Sequence, residues 1–106
     1  MVVWEPVCRV VTDGKDARHL SLSEARILDK IYDGRVGTRE ELLNAVYGHK
    51  PYADWPNAGT SLDVILHKLR RKLSAFKIST INVRETGWHL SQPLERKHLA
   101  PAEILT

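Results

Sequence analysis

Between residues 60 and 77 the chain places Thr60, Val64, His67, Lys68 and Arg71 at the spacing of one helical stripe. Arg70, Lys72 and Lys77 flank them, and Asp63 is the single acid among them. Such a set suits recognition of a polyanion: long-armed cations neutralise phosphates, and the width of a DNA major groove admits one helix. Leu62, Leu66, Leu69 and Leu73 form a second stripe, apolar and therefore directed at a core. A solvated basic face that merely complements the helix dipole would show the same pattern, so the surrounding elements must decide between the two readings.

Other chemistries find little support. His19, His49, His67, His89 and His98 show no ligand spacing among themselves or with Cys8, so no metal site is expected. There is no glycine-rich phosphate loop, and Glu40 and Glu41 are better explained as the start of a helix than as an acid-base pair. The expectation is a protein with no catalytic residues, no cofactor and no small-molecule substrate.

A chain of 106 residues is one domain with one modest core. Its formal charge of +3 and pI near 9.2 are mildly basic, with the positive charge concentrated after Thr60. The lone Cys8 can form no internal disulfide. It lies in the apolar run 7–11, where a buried, inert thiol is expected. No apolar run reaches membrane-spanning length and no signal pattern opens the chain, so a cytoplasmic protein with no membrane partner is expected, associated with the nucleoid.

The elements that would position the basic stripe follow from local signals. Residues 2–11 read as strand interrupted by Pro6, residues 12–16 as a turn on Asp13 and Gly14, and residues 17–20 as a second short strand. Ser21 and Glu24 form a capping box that opens a helix stopped by Gly34. Thr38 and Glu41 form another, opening a helix with Leu42, Leu43 and Val46 inward and Gly48 at its end. A loop at 49–59 holds Pro51, Tyr52, Trp55 and Pro56. Thr60 or Ser61 then caps the third helix, which runs to about residue 75. Ile78, Ile81 and Val83, then Trp88 and Leu90 across Glu85, Thr86 and Gly87, read as a hairpin with Arg84 and Glu85 at its tip, and Trp88 as core. The order predicts an α+β winged helix-turn-helix: three helices, a short N-terminal β-sheet at 1–20, a helical and wing unit at 21–91, and a tail at 92–106.

Several of these segments match one family's motifs. Residues 62–73, LDVILHKLRRKL, resemble the recognition-helix signature V-D-V-H-I-x-R-L-R-x-K-L of the OmpR/PhoB-type effector domains of bacterial response regulators. LSLSE at 20–24 is similar to their L-T-x-x-E, TREELL at 38–43 to S/T-R-E-E-L-L, VYG at 46–48 to V-W-G, and VRETGW at 83–88 to the wing motif V-R-G-x-G-Y. The resemblance covers residues 20–90. With only residues 1–20 upstream of the first capping box, a response-regulator receiver domain is not expected.

The resemblance implies roles. Val64 and Lys68 would face base edges of double-stranded DNA; Thr60, Ser61, His67, Arg70 and Arg71 would touch phosphates or flank the groove; Arg84 would enter the minor groove; and Thr38 with the amides after it would hold a phosphate. Each has a plainer alternative: Val64 at the edge of the core, His67 as an ordinary surface residue. The chain departs from the motif at Ile65 (histidine in the family), Lys68 (arginine) and Glu85 (glycine). Two functions stay open: a sequence-specific transcriptional regulator, and a winged helix that binds a protein partner through the wing or the 49–59 loop. In the family that loop can touch RNA polymerase, and Tyr52 and Trp55 are the anchors here for the polymerase or another regulator.

Overall fold

The computed structural model describes residues 1–50 and 58–100, with the backbone alone at 58–60. In chain order the elements are β1 (Val3–Glu5), β2 (Val10–Thr12), β3 (Ala17–His19), α1 (Leu22–Ile31), β4 (Gly37–Thr38), α2 (Arg39–Tyr47), α3 (Ala58–Leu73), β5 (Thr80–Val83), β6 (Gly87–Leu90) and β7 (Glu95–Arg96). A single 3-10 turn, Ser74–Phe76, follows α3.

Both expected capping boxes are present. Ser21 Oγ accepts from the Glu24 amide at 3.2 Å while Glu24 Oε1 accepts from the Ser21 amide at 2.8 Å. Thr38 Oγ1 accepts from the Glu41 amide at 3.1 Å, and Glu41 Oε1 from the Thr38 amide at 3.4 Å. A cap of this kind is worth about 1 kcal/mol and fixes where each helix starts. The third helix starts earlier than expected: α3 begins at Ala58, so neither Thr60 nor Ser61 is its N-cap.

The strands form two sheets. One has the order β3-β2-β1-β7, the other β4-β6-β5. In the second, β5 and β6 form the wing hairpin and β4 ties it to the start of α2, pairing Gly37 with Trp88 and Thr38 with Gly87. Leu62, Leu69 and Leu73 of α3 are fully buried and Leu66 nearly so. They join Ile27, Leu28 and Ile31 of α1, Leu42 and Val46 of α2, and Trp88 and Leu90 of β6 in one core. Trp4, Val11 and Leu20 belong to the same cluster, so residues 1–20 pack as part of the unit they precede.

Two expectations are corrected. Residues 92–100 are not a loose tail: β7 adds a parallel strand to β1, pairing Val3 with Glu95 and Trp4 with Arg96, and Leu94 and Leu99 are buried. Apolar side chains and buried polar partners far along the chain hold this segment, which local patterning does not reveal. Cys8 lies in the turn between β1 and β2, part-exposed rather than buried, and Val7 beside it is 75% exposed. The run 7–11 looked like strand because its residue types are apolar, yet it bends sharply, with Arg9 at φ 57°.

That bend is organised by Glu5, whose side chain is fully buried. Its Oε1 accepts from the amides of Val7 and Cys8, and its Oε2 from the Leu99 amide and from His98 Nδ1 at 2.7 Å. Burial pushes the Glu5 carboxyl up, but the Leu99, Val7 and Cys8 amides and the charge of His98 outweigh it, leaving it below the ordinary glutamate range. A second carboxylate, Asp29 of α1, accepts from Trp4 Nε1 at 3.0 Å and Arg96 Nε at 2.9 Å. Together the two acids fasten both ends of the described chain to α1 and the N-terminal sheet.

Candidate nucleic-acid interface

Burying the leucine stripe forces the rest of α3 outward. Asp63, Val64, His67, Lys68, Arg70 and Arg71 are all exposed. Val64 is 46% exposed, which removes it from the edge of the core; a bare apolar side chain there is available for contact with a methyl group. Ile65 is half-buried and packs against the core, so where the resembling motif has histidine this chain has a packing residue. Among the described residues Lys68 and Arg71 enter no ion pair, and their charge faces solvent uncompensated.

Lys72 of the same helix and Arg39 of α2 are engaged. Lys72 Nζ donates to Glu24 Oε1 at 2.7 Å, and Glu24 is almost wholly buried, so the capping carboxylate of α1 also anchors the C-terminal half of α3. Arg39, the first residue of α2, reaches Asp63 of α3 at 3.8 Å and places its guanidinium 5.1 Å from the ring centre of Trp88. It thus links the helix to the base of the wing through an ion pair and a cation-π contact. In the sequence Arg39 stands out only as part of the TREELL motif at 38–43. Nothing in local periodicity marks it, because its partners lie on α3 and β6.

The wing stands beside this helix. A groove of about 250 Å³ between them is lined by Asp63, His67, Arg70, Thr80, Asn82 and Trp88. Arg84 is exposed at the tip, where the Thr86 amide donates to the Val83 carbonyl at 2.9 Å. Glu85 has φ 62°, the left-handed region that the third residue of a type II turn requires. This gives a physical reason for glycine at the matching position of the wing motif. A non-glycine residue pays about 1–2 kcal/mol there, and glycine returns about 0.5–1 of it through its freer unfolded chain. Glu85→Gly is therefore expected to raise stability by about 0.5–1 kcal/mol, read as a higher melting temperature. An unchanged or lower melting temperature would show that the glutamate side chain holds the turn in some other way.

At the opposite flank of α3, Arg18 of β3 meets Lys68, Arg71 and Lys72 around a cup of about 470 Å³ with Glu24 in its wall. Arg18 escaped the sequence reading because only the sheet brings it there.

The remaining expected site residues are distributed less simply. His67 and Arg70 share the groove beside the wing. The Ser61 hydroxyl is 2.6 Å from the Tyr47 hydroxyl and is half-buried, tying α3 to the end of α2 rather than standing free on the outer face. The Thr38 hydroxyl is committed to its cap, which leaves the free amides at the start of α2 as the polar groups on offer there. Thr60 lies within α3, its side chain outside the described residues, as are Tyr52 and Trp55 in full.

Comparison with known proteins places this arrangement. No family model and no curated protein sequence matches the chain. Solved structures do. The DNA-binding domain of the response regulator AdeR, in complex with an intercistronic region, is 28% identical with a TM-score of 0.65, over 87% of this chain and 95% of that one. The DNA-binding domain of Bacillus subtilis CssR is 22% identical with a TM-score of 0.67, over 85% and 99%. The C-terminal domain of the nisin resistance regulator NsrR, a lantibiotic response regulator, is 21% identical with a TM-score of 0.63, over 78% and 84%. The chain has the winged helix-turn-helix fold of these bacterial response-regulator domains, in keeping with the resemblance its motifs show to OmpR/PhoB-type effector domains.

Proposed function

From a winged helix-turn-helix shared with response-regulator DNA-binding domains, we propose that this chain is a sequence-specific double-stranded DNA-binding protein that regulates transcription in the bacterial cytoplasm, on the nucleoid. α3 lies in the major groove and the wing at the adjacent minor groove. The observation that carries this reading is the outer face of α3, where Val64, Lys68 and Arg71 stand exposed and the two cations lack any counter-ion among the described residues. A surface that served only as solvated helix would gain from pairing these charges, and Asp63 is already taken by Arg39.

Roles follow from position. Val64 and Lys68 address base edges, by methyl contact and by donation to guanine acceptors. His67, Arg70 and Arg71 hold phosphates on either side, and Thr60, Ser61 and the amides after Thr38 frame the entry of the backbone. Arg84 enters the minor groove, most favourably over A/T-rich sequence whose narrow groove concentrates negative potential. Glu85 opposes this, and so the Glu85→Gly variant should also bind DNA more tightly. Tyr52 and Trp55, which lie in the sequence between α2 and α3, are the contacts proposed for RNA polymerase or another regulator.

Binding to duplex DNA as a function of salt tests the proposal. With about four or five phosphates neutralised, log affinity falls linearly against log salt with a slope of about -4. A flat salt response ends the DNA reading and favours the protein-interaction alternative, to which the exposed acid at the wing tip lends its support.

A further inference from the structure

We infer that the DNA backbone continues past the end of α3 onto the edge of the N-terminal sheet, where one phosphate is held in the cup between Arg18 and the Lys68, Arg71 and Lys72 cluster. This rests on the DNA-binding reading and extends the contact surface beyond the helix and wing to an element that reading does not use.

The strand order puts β3 at the free edge of its sheet, with Arg18 opposite Val11 and its side chain exposed. On the other side of the cup are the last turns of α3, where a helix inserted by its N-terminal half rises out of the groove toward the backbone. The cup therefore shares Lys68 and Arg71 with the exposed face of α3, and a strand leaving that face passes over it.

Charge bookkeeping favours a phosphodiester. Of the four cations, Lys72 is offset by Glu24 at 2.7 Å and Arg18 by Asp16 at 3.0 Å. Lys68 and Arg71 stay uncompensated; with the Lys68 ammonium directed to the bases, Arg71 leaves one surplus charge for a group of charge minus one. The neutralised pair still donates. Glu24 Oε1 takes one of the three ammonium hydrogens of Lys72, and that side chain keeps 36% of its surface open. Asp16 takes one Nη2 hydrogen of Arg18, and this exposed pair orients the guanidinium while leaving its other donors free. Glu24 thereby acts as a positioning residue, holding an ammonium at the wall of the cup that an unpaired lysine would swing into solvent.

The test is the salt dependence of duplex binding for the native chain, Arg18→Ala and Arg18→Lys. Among the described residues the Arg18 side chain bonds only to Asp16, so neither change disturbs the core. Arg18→Ala should shallow the log-log slope by about 0.9 and weaken binding about eight-fold at about 0.1 M salt, with base preference unchanged. Arg18→Lys should keep the native slope. An Arg18→Ala slope equal to the native one overturns the inference and leaves the DNA reading standing. No salt-dependent binding by the native chain overturns both. Millimolar inorganic phosphate at constant ionic strength should leave the difference between the native chain and Arg18→Ala intact; if it abolishes that difference, the cup takes free phosphate and the backbone assignment is wrong.

Discussion

Gly87→Ala is expected to cost about 3 kcal/mol or more of stability, the largest effect of any single methyl group added to the wing. A Cβ at Gly87 would lie 2.0 Å from the carbonyl oxygen of Gly37, 2.7 Å from its carbonyl carbon and 2.9 Å from the Cα of Thr38. All three are backbone atoms, so no side-chain rotation relieves the clash; β4 and β6 must separate. Gly37 is no freer to yield, since its own Cβ position is crowded by Ile31 and Leu42 of the core. Separation would break the pairing of Gly37 with Trp88 and Thr38 with Gly87, which sets the wing against the start of α2 and brings Arg39 to the Trp88 ring. For a domain of this size about 3 kcal/mol lowers the melting temperature by about 12 °C or more. Gly14→Ala is the internal control. Gly14 has φ 90°, and a Cβ added there would meet nothing within 4 Å, so the substitution bears only the left-handed strain of about 1–2 kcal/mol. If Gly87→Ala melts no lower than Gly14→Ala, the two strands do not approach as closely as described.

The parts of this molecule that could be read from residue order are those governed by neighbours three or four positions away. Ser21 with Glu24 and Thr38 with Glu41 marked two helix starts, and the leucine stripe of α3 marked its buried face. Val64, Lys68 and Arg71 were legible for the same reason, since burying one stripe of a helix decides the other. What was not legible depends on distant partners. Glu5 accepts from the Leu99 amide across nearly the whole chain, and that bond helps turn an apparent tail into a bound segment. Arg18 and Arg39 carry no local signature, because a sheet edge and a wing base place them beside α3. Turn chemistry was the middle case: Glu85 stood out as a departure from glycine, but its cost became clear only with its positive φ.

The central claim is that α3 reads base sequence rather than merely holding a backbone, and Lys68 and Arg71 separate the two possibilities within one turn of helix. Both are exposed, and Lys68 lies nearer the N-terminal half, where an inserted helix is deepest in the groove. Val64, one turn earlier on the same face, is 46% exposed and would offer an apolar surface to a thymine methyl beside the base proposed for Lys68. Lys68→Ala should accordingly cost about 1–3 kcal/mol on the preferred site and flatten discrimination at one base pair. Arg71→Ala should weaken all sequences alike and shallow the salt slope by about one contact. The decisive measurement is the affinity of the native chain and both variants for a panel of single-base-substituted sites at two salt concentrations. The account predicts that Lys68→Ala loses its preference at one position while Arg71→Ala keeps the native preference at lower affinity. A Lys68→Ala variant that binds every site more weakly by the same factor, with base preference untouched, would contradict it.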